Sequence, residues 1–164
     1  MAESNANNSL RLISYADLAQ LRLQGFLGGA AELDVEESGM MVVVGLGGYE
    51  RFGETFFGWR QGEPYQTAEV TLDLGRDSEL PDESARQIIE RLGLPVRKGA
   101  TASELISTFG PPQKDKKGRP GTRLLDFVCG EGEQYLLGCV VDDHDGLVHI
   151  FFARKDYCDE DDSI

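Results

Sequence analysis

The sequence predicts an α+β fold in which an antiparallel sheet of about six strands carries three helices on one face. Three observations support this. Between Pro95 and Asp156, a capped helix running from Thr101 to the Gly110-Pro111-Pro112 stop leads into three apolar runs joined by tight turns. Ala68, Val70, Leu72 and Leu74 alternate with Glu69, Thr71 and Asp73, the period of a strand with one buried and one wet face. Ala85, Ile88, Ile89 and Leu92 fall on one face of a helix that opens after Pro81 and is stopped by Gly93.

In chain order, residues 1–9 are polar and asparagine-rich and are expected to be a disordered N-terminus. A first helix is predicted at 15–27, with Ser14 as its cap and Asp17 in its first turn. Ala16, Ala19, Leu23 and Phe26 recur at helical spacing, and Gly25, Gly28 and Gly29 end the run. Met40 to Gly45 is apolar, β-branched and too short for a helix, so it reads as a buried strand. Thr55–Trp59 and Ala68–Leu74 read as two more strands of an antiparallel meander.

The helix after Pro81 follows, and then the short one at Thr101. There the threonine and Glu104 form a capping box and Leu105, Ile106 and Phe109 face inward. Leu124–Cys129, Tyr135–Val141 and Leu147–Ala153 are strands, the last two joined by a turn at Asp145-Gly146. Lys155 to Ile164 holds five acidic residues and one lysine and reads as solvated, so 157–164 is taken as an acidic tail. Residues 10–156 form a single domain, divisible into halves 10–80 and 81–156.

With 40% hydrophobic residues in 164, the chain can bury a proper interior. Its net charge of −13 discourages attraction to phosphate backbones and anionic lipid, so neither nucleic acid nor membrane is expected as a partner. The N-terminus shows no basic region followed by an apolar run, and no stretch approaches a membrane span. Cys129, Cys139 and Cys158 are odd in number with no C-x-x-C pair, which suits reduced thiols. Together these predict a cytoplasmic protein.

The run from Val96 through Gly99, Thr101, Leu105, Phe109 and the Gly110-Pro111 stop is followed by three strands and the Asp145-Gly146 turn. Over residues 96–153 this resembles the helix-plus-hairpins unit of the SmpA/OmlA lipoproteins and of the β-lactamase inhibitor proteins. The resemblance implies a non-catalytic module that works by presenting a surface. The chain departs from both families in lacking the lipoprotein leader with its modified cysteine and the paired cysteines of secreted inhibitors. No functional residue is carried over from either.

Candidate chemistry is sparse. Gly45-Leu-Gly-Gly48 follows a strand as a dinucleotide fingerprint does, but Glu50 occupies the third glycine position and another strand follows, so it reads as a flexible connection. Asp142, Asp143 and Asp145 with Gly146 read as a hairpin turn, because aligning Gly146 with the EF-hand glycine puts Val141 and Phe152 at ligand positions. Pairing around that turn is expected to place Cys139 opposite or near His149, a contact too small for a metal site. An enzyme would need a cleft gathering these two with nearby carboxylates. No cofactor or metal is expected.

Between 97 and 123 seven basic residues face two acidic ones; Lys114, Lys116, Lys117 and Arg119 either steer an acidic partner onto one end of the molecule or, the favoured reading, form a solvated loop at 114–123 that keeps an apolar segment soluble. Tyr49, Phe52, Phe56, Phe57 and Trp59 crowd one stretch on alternating strand faces; either some are exposed at an interface or both faces are covered within the fold.

The predicted function is non-catalytic protein binding, as an immunity or inhibitor-type accessory that neutralises a basic partner. Phe56, Phe57, Trp59, Asp142, Asp143 and Asp145 are the candidate partner-binding residues. The alternative is a structural or chaperone-like homodimeric subunit associating through the aromatic segment. A small enzyme of unknown reaction comes third.

Overall fold

The computed structural model describes residues 10–27, 48–60 and 66–162. The strand read at Met40–Gly45 and the N-terminal segment 1–9 lie outside them. Seven strands form one sheet among the described residues: β1 Gly48–Phe52, β2 Thr55–Arg60, β3 Gln66–Asp73, β4 Lys114–Lys117, β5 Thr122–Cys129, β6 Tyr135–Asp142 and β7 Gly146–Arg154. Their order is β1-β2-β3-β7-β6-β5-β4, and every neighbouring pair is antiparallel. The helices are α1 Tyr15–Ala19, α2 Asp82–Leu92, α3 Ala102–Phe109 and α4 Lys155–Asp162. The α+β class holds, with one strand and one helix more than the sequence predicts.

Two meanders make the sheet, and β3 pairing with β7 joins them. Strand alternation sorts the side chains into two sets. One inward row runs Phe57, Val70, Phe152, Leu137 and Phe127 across five strands; a second runs Leu72, Ile150, Cys139 and Leu125. All nine residues are buried, in one cluster with Leu18, Leu23, Ile88, Leu92, Leu105 and Phe109 from the helical layer. The Phe109 ring meets Phe127 at 5.3 Å between centroids. α1, α2 and α3 therefore supply the lid of this core.

The caps form as the sequence predicts. The Ser14 hydroxyl accepts from Asp17 N at 3.1 Å, Thr101 and Glu104 make a reciprocal box, and Gly93 ends α2 in the left-handed region. The β6–β7 turn is fixed by Asp142 Oδ1, which accepts from His144 N and Asp145 N at 2.8 and 3.0 Å. Gly146 enters β7 at φ +74°, and a Cβ there would stand 2.2 Å from Gly99 O, so both its conformation and its clearance need glycine.

Three elements differ from expectation. The helix predicted at 15–27 stops at Ala19, and Leu23–Phe26 forms a separate 3-10 turn. Side-chain bonds, two of them from distant strands, replace the helical ones. Thr67 Oγ1 donates to Leu21 O at 2.6 Å, Arg22 donates to Ala19 O and Leu21 O, and the Glu50 carboxylate accepts from Leu23 N.

The basic segment is not simply a loop: 114–117 is the edge strand β4. Its charged side chains are exposed, and Asp115 takes a two-bond contact from Arg123 at 2.7 and 2.8 Å. Lysines on an edge strand discourage a further strand from adding. The start of the acidic tail is helical, α4, which Asp156 opens with bonds from Arg154 and which Lys155 and Asp159 tie at 3.0 Å. No helix among the described residues is long and apolar enough to cross a membrane.

Candidate functional site

The residues singled out from the sequence do not come together. Phe57 is fully buried in the inward row with its ring 6.1 Å from Phe26, so it offers no surface to a partner. Trp59 is half-buried, with the Arg22 guanidinium over its ring at 5.5 Å. Phe56 points to the opposite, outer face of the sheet, where Tyr49 lies 5.7 Å away. Register thus divides the aromatic cluster between two faces.

The three aspartates sit at the β6–β7 turn, away from Phe56. Asp142 is occupied by the turn amides of Asp145 and His144, which hold its carboxyl below the usual aspartate value. Asp145 is held by Arg76 at 2.9–3.3 Å. Asp143 is exposed and makes no ion pair among the described residues.

The pairing of Cys139 with His149 does not occur. His149 lies opposite Val140, and Cys139 opposite Ile150. Alternation then places the thiol in the core and the imidazole on the outer face. Burial pushes the Cys139 thiol up to about 12 and lowers the His149 value. Cys129 is likewise pushed up to about 12 by burial, so neither core thiol is a thiolate near neutral pH. Among the described residues no group of three or more His, Cys, Asp or Glu could hold a metal ion. A 710 Å³ cavity beside α1 is lined by Tyr15, Arg22, Glu133 and Arg154, but Arg22 is bound to backbone carbonyls and Arg154 to Asp156 and the Tyr15 ring.

What the topology does assemble is the outer face. One row crosses the whole sheet: Arg51, Phe56, Thr71, Phe151, Gly138, Asp126 and Lys114. A parallel row holds Asp73, His149, Val140 and Leu124. Phe56, Phe151, Leu124 and Val140 are half-buried rather than buried, so apolar surface remains accessible. Thr71, between the two phenylalanines, is 4% exposed, and its hydroxyl has no hydrogen-bond partner among the described residues.

Carboxylates flank this aromatic strip in a repeated arrangement. Glu69 lies across Gly58, where a Cβ would stand 2.6 Å from its Oε1. Asp126 lies across Gly138, where a Cβ would stand 3.2 Å from its Oδ1 and 3.6 Å from Phe151 Cβ. Each glycine leaves room for a carboxylate to lie on the sheet, and over Gly138 that carboxylate lies beside Phe151. Phe151, Gly138 and Asp126 were not candidates from the sequence. The available signal was an aspartate inside the apolar run Leu124–Cys129 and a glycine inside Tyr135–Val141, each unexplained by a turn.

No family model matches the chain, and no curated protein does. Among solved structures it is similar to a DUF4309 family protein, YjgB, from Bacillus subtilis, at 18% identity and a TM-score of 0.35, over 84% of this chain and 88% of that one. A likeness of that size assigns neither a fold family nor a function.

Proposed function

We propose that the protein is a non-catalytic protein-binding module, an accessory of the immunity or inhibitor type, which takes a basic partner on the outer face of its sheet. The observation that carries this reading is the aromatic strip of Phe56 and Phe151 flanked by the carboxylates of Glu69, Asp73 and Asp126. Aromatic anchors supply contact area, and surrounding acidic groups with a net charge of −13 favour and steer a basic surface. The resemblance read from the sequence alone at 96–153 would also imply a module that presents a surface. A reducing, cytoplasmic setting suits a chain in which none of the three cysteines forms a disulfide.

The test compares capture by the tagged wild type with capture by Phe56→Asp and Phe151→Asp variants, read by mass spectrometry at low and high salt. A basic protein retained by wild type, lost at high salt and lost by both variants with unchanged circular dichroism supports the proposal. Equal retention by the variants removes the outer face from consideration. A concentration-dependent mass in sedimentation that the same variants abolish would instead favour the homodimeric subunit.

A further inference from the structure

The outer face contains a site more specific than general acidity. Asp126 stands in mid-strand, half-buried, with its carboxylate folded over Gly138. Its Oδ1, Phe151 Cβ and Phe151 Cδ2 all lie within 4.0 Å of the point where a Cβ would stand on Gly138. A carboxylate and the flank of an aromatic ring therefore meet above a floor that has no side chain. The Asp126 carboxylate has no ion pair or hydrogen bond among the described residues. Lys114 is its cross-strand neighbour but is exposed and does not come within ion-pair distance.

A half-buried carboxylate with no partner among the described residues is open to a cation, which would sit against it and the Phe151 ring from the solvent side. The shape selects among cations. A guanidinium is planar, stacks on a ring, offers paired donors to a carboxylate and is weakly hydrated, whereas an ammonium is compact and holds its water. We propose that Asp126, Gly138 and Phe151 form a socket for an arginine side chain of the partner. This rests on the outer face being the binding surface and names the chemistry it reads. A methyl group on Gly138 would press on Asp126 Oδ1 at 3.2 Å and push the carboxylate off the Phe151 flank, spoiling the socket.

The test is a titration of the full-length, nitrogen-15-labelled protein with N-acetyl-arginine amide, followed by NMR and repeated with the lysine and leucine analogues. Shifts concentrated at Asp126, Gly138 and Phe151 are expected. Arginine should bind more tightly than lysine, and leucine should leave the spectrum unchanged. Asp126→Asn, nearly isosteric, should weaken arginine binding about fivefold, and Gly138→Ala should do so comparably, with thermal melts confirming that both variants fold.

Equal affinity of Asp126→Asn and wild type, or shifts confined to other surfaces, would overturn the socket. Partner capture separates the two readings. Capture lost in Phe151→Asp but untouched by Asp126→Asn overturns the socket and leaves the face standing, and capture untouched by either overturns both.

Discussion

Glu50 is the side chain whose removal should be most revealing. It is 7% exposed, stands on the inward face of β1 opposite Phe57, and accepts the backbone N–H of Leu23 at the start of the 3-10 turn. Desolvation raises its pKa above the ordinary value, against the lowering effect of its bonds to the Leu23 and Gln24 amides and of the Arg22 charge. Glu50→Ala removes the acceptor for two backbone donors in a buried place. Losing charge-assisted bonds and leaving such donors unsatisfied should cost about 2–4 kcal/mol. Glu50→Gln keeps a carbonyl acceptor and should cost less than about 1 kcal/mol at neutral pH.

The pH dependence separates this account from simple packing. In the unfolded chain the carboxyl titrates at its ordinary value, 4.5. Because the folded value is higher, folded protein keeps the proton where unfolded protein has released it. The contribution of Glu50 to stability is therefore most favourable below 4.5 and declines as pH rises through the folded value. Glutamine cannot titrate, so the stability of Glu50→Gln relative to wild type should climb across that window and then level off. Urea denaturation of wild type and both variants between pH 4 and pH 7 measures it. A flat difference across the window, or a Glu50→Ala loss below about 0.5 kcal/mol, would refute the reasoning.

Phe109→Ala empties a site that is 1% exposed beneath the Phe127 ring, and should cost about 3–5 kcal/mol in the same urea assay. Gly146→Ala, at φ +74° and against Gly99 O, should cost about 2–3 kcal/mol and lower the melting temperature, while exposed Gly132→Ala, with open space around it, should cost less. Cys158, half-buried in α4, should react first with a thiol reagent at pH 8, with Cys129 and Cys139 reacting only after denaturant is added.

Local signals were legible wherever one residue type performs one local task. Ser14, Thr101, Gly93 and the Asp145-Gly146 turn all do locally what their chemistry predicts. The errors arose where a distant partner decides. The break after Ala19 depends on Thr67 and Glu50, which no window around residue 20 contains. β4 reads Lys-Asp-Lys-Lys, a poor strand by propensity, and forms because β5 offers it an edge. The candidate site fared worse for the same reason. Phe56 was visible as one aromatic of a cluster, but its separation from Phe57 and its row with Thr71 and Phe151 follow from the sheet order.

That order also bears on whether the chain can be divided. Separating 10–80 from 81–156 would part Val70 from Phe152 and Leu72 from Ile150, opening the middle of the core rather than a boundary. Residues 10–27 tie the two halves a second time. Leu21 O accepts from Thr67 in β3, while Ile13 N donates to Leu92 O at 2.9 Å, Tyr15 Oη donates to Gln134 O at 2.5 Å, and the Tyr135 hydroxyl donates to Ile13 O. A segment bound to both meanders cannot leave one without loosening the other. The expected result is a single cooperative unfolding transition, with β3 and β7 amides exchanging hydrogen together at the global rate. Two resolved transitions, or protection of β5–β6 persisting after β3 has exchanged, would show instead that the halves fold independently and that their pairing is secondary.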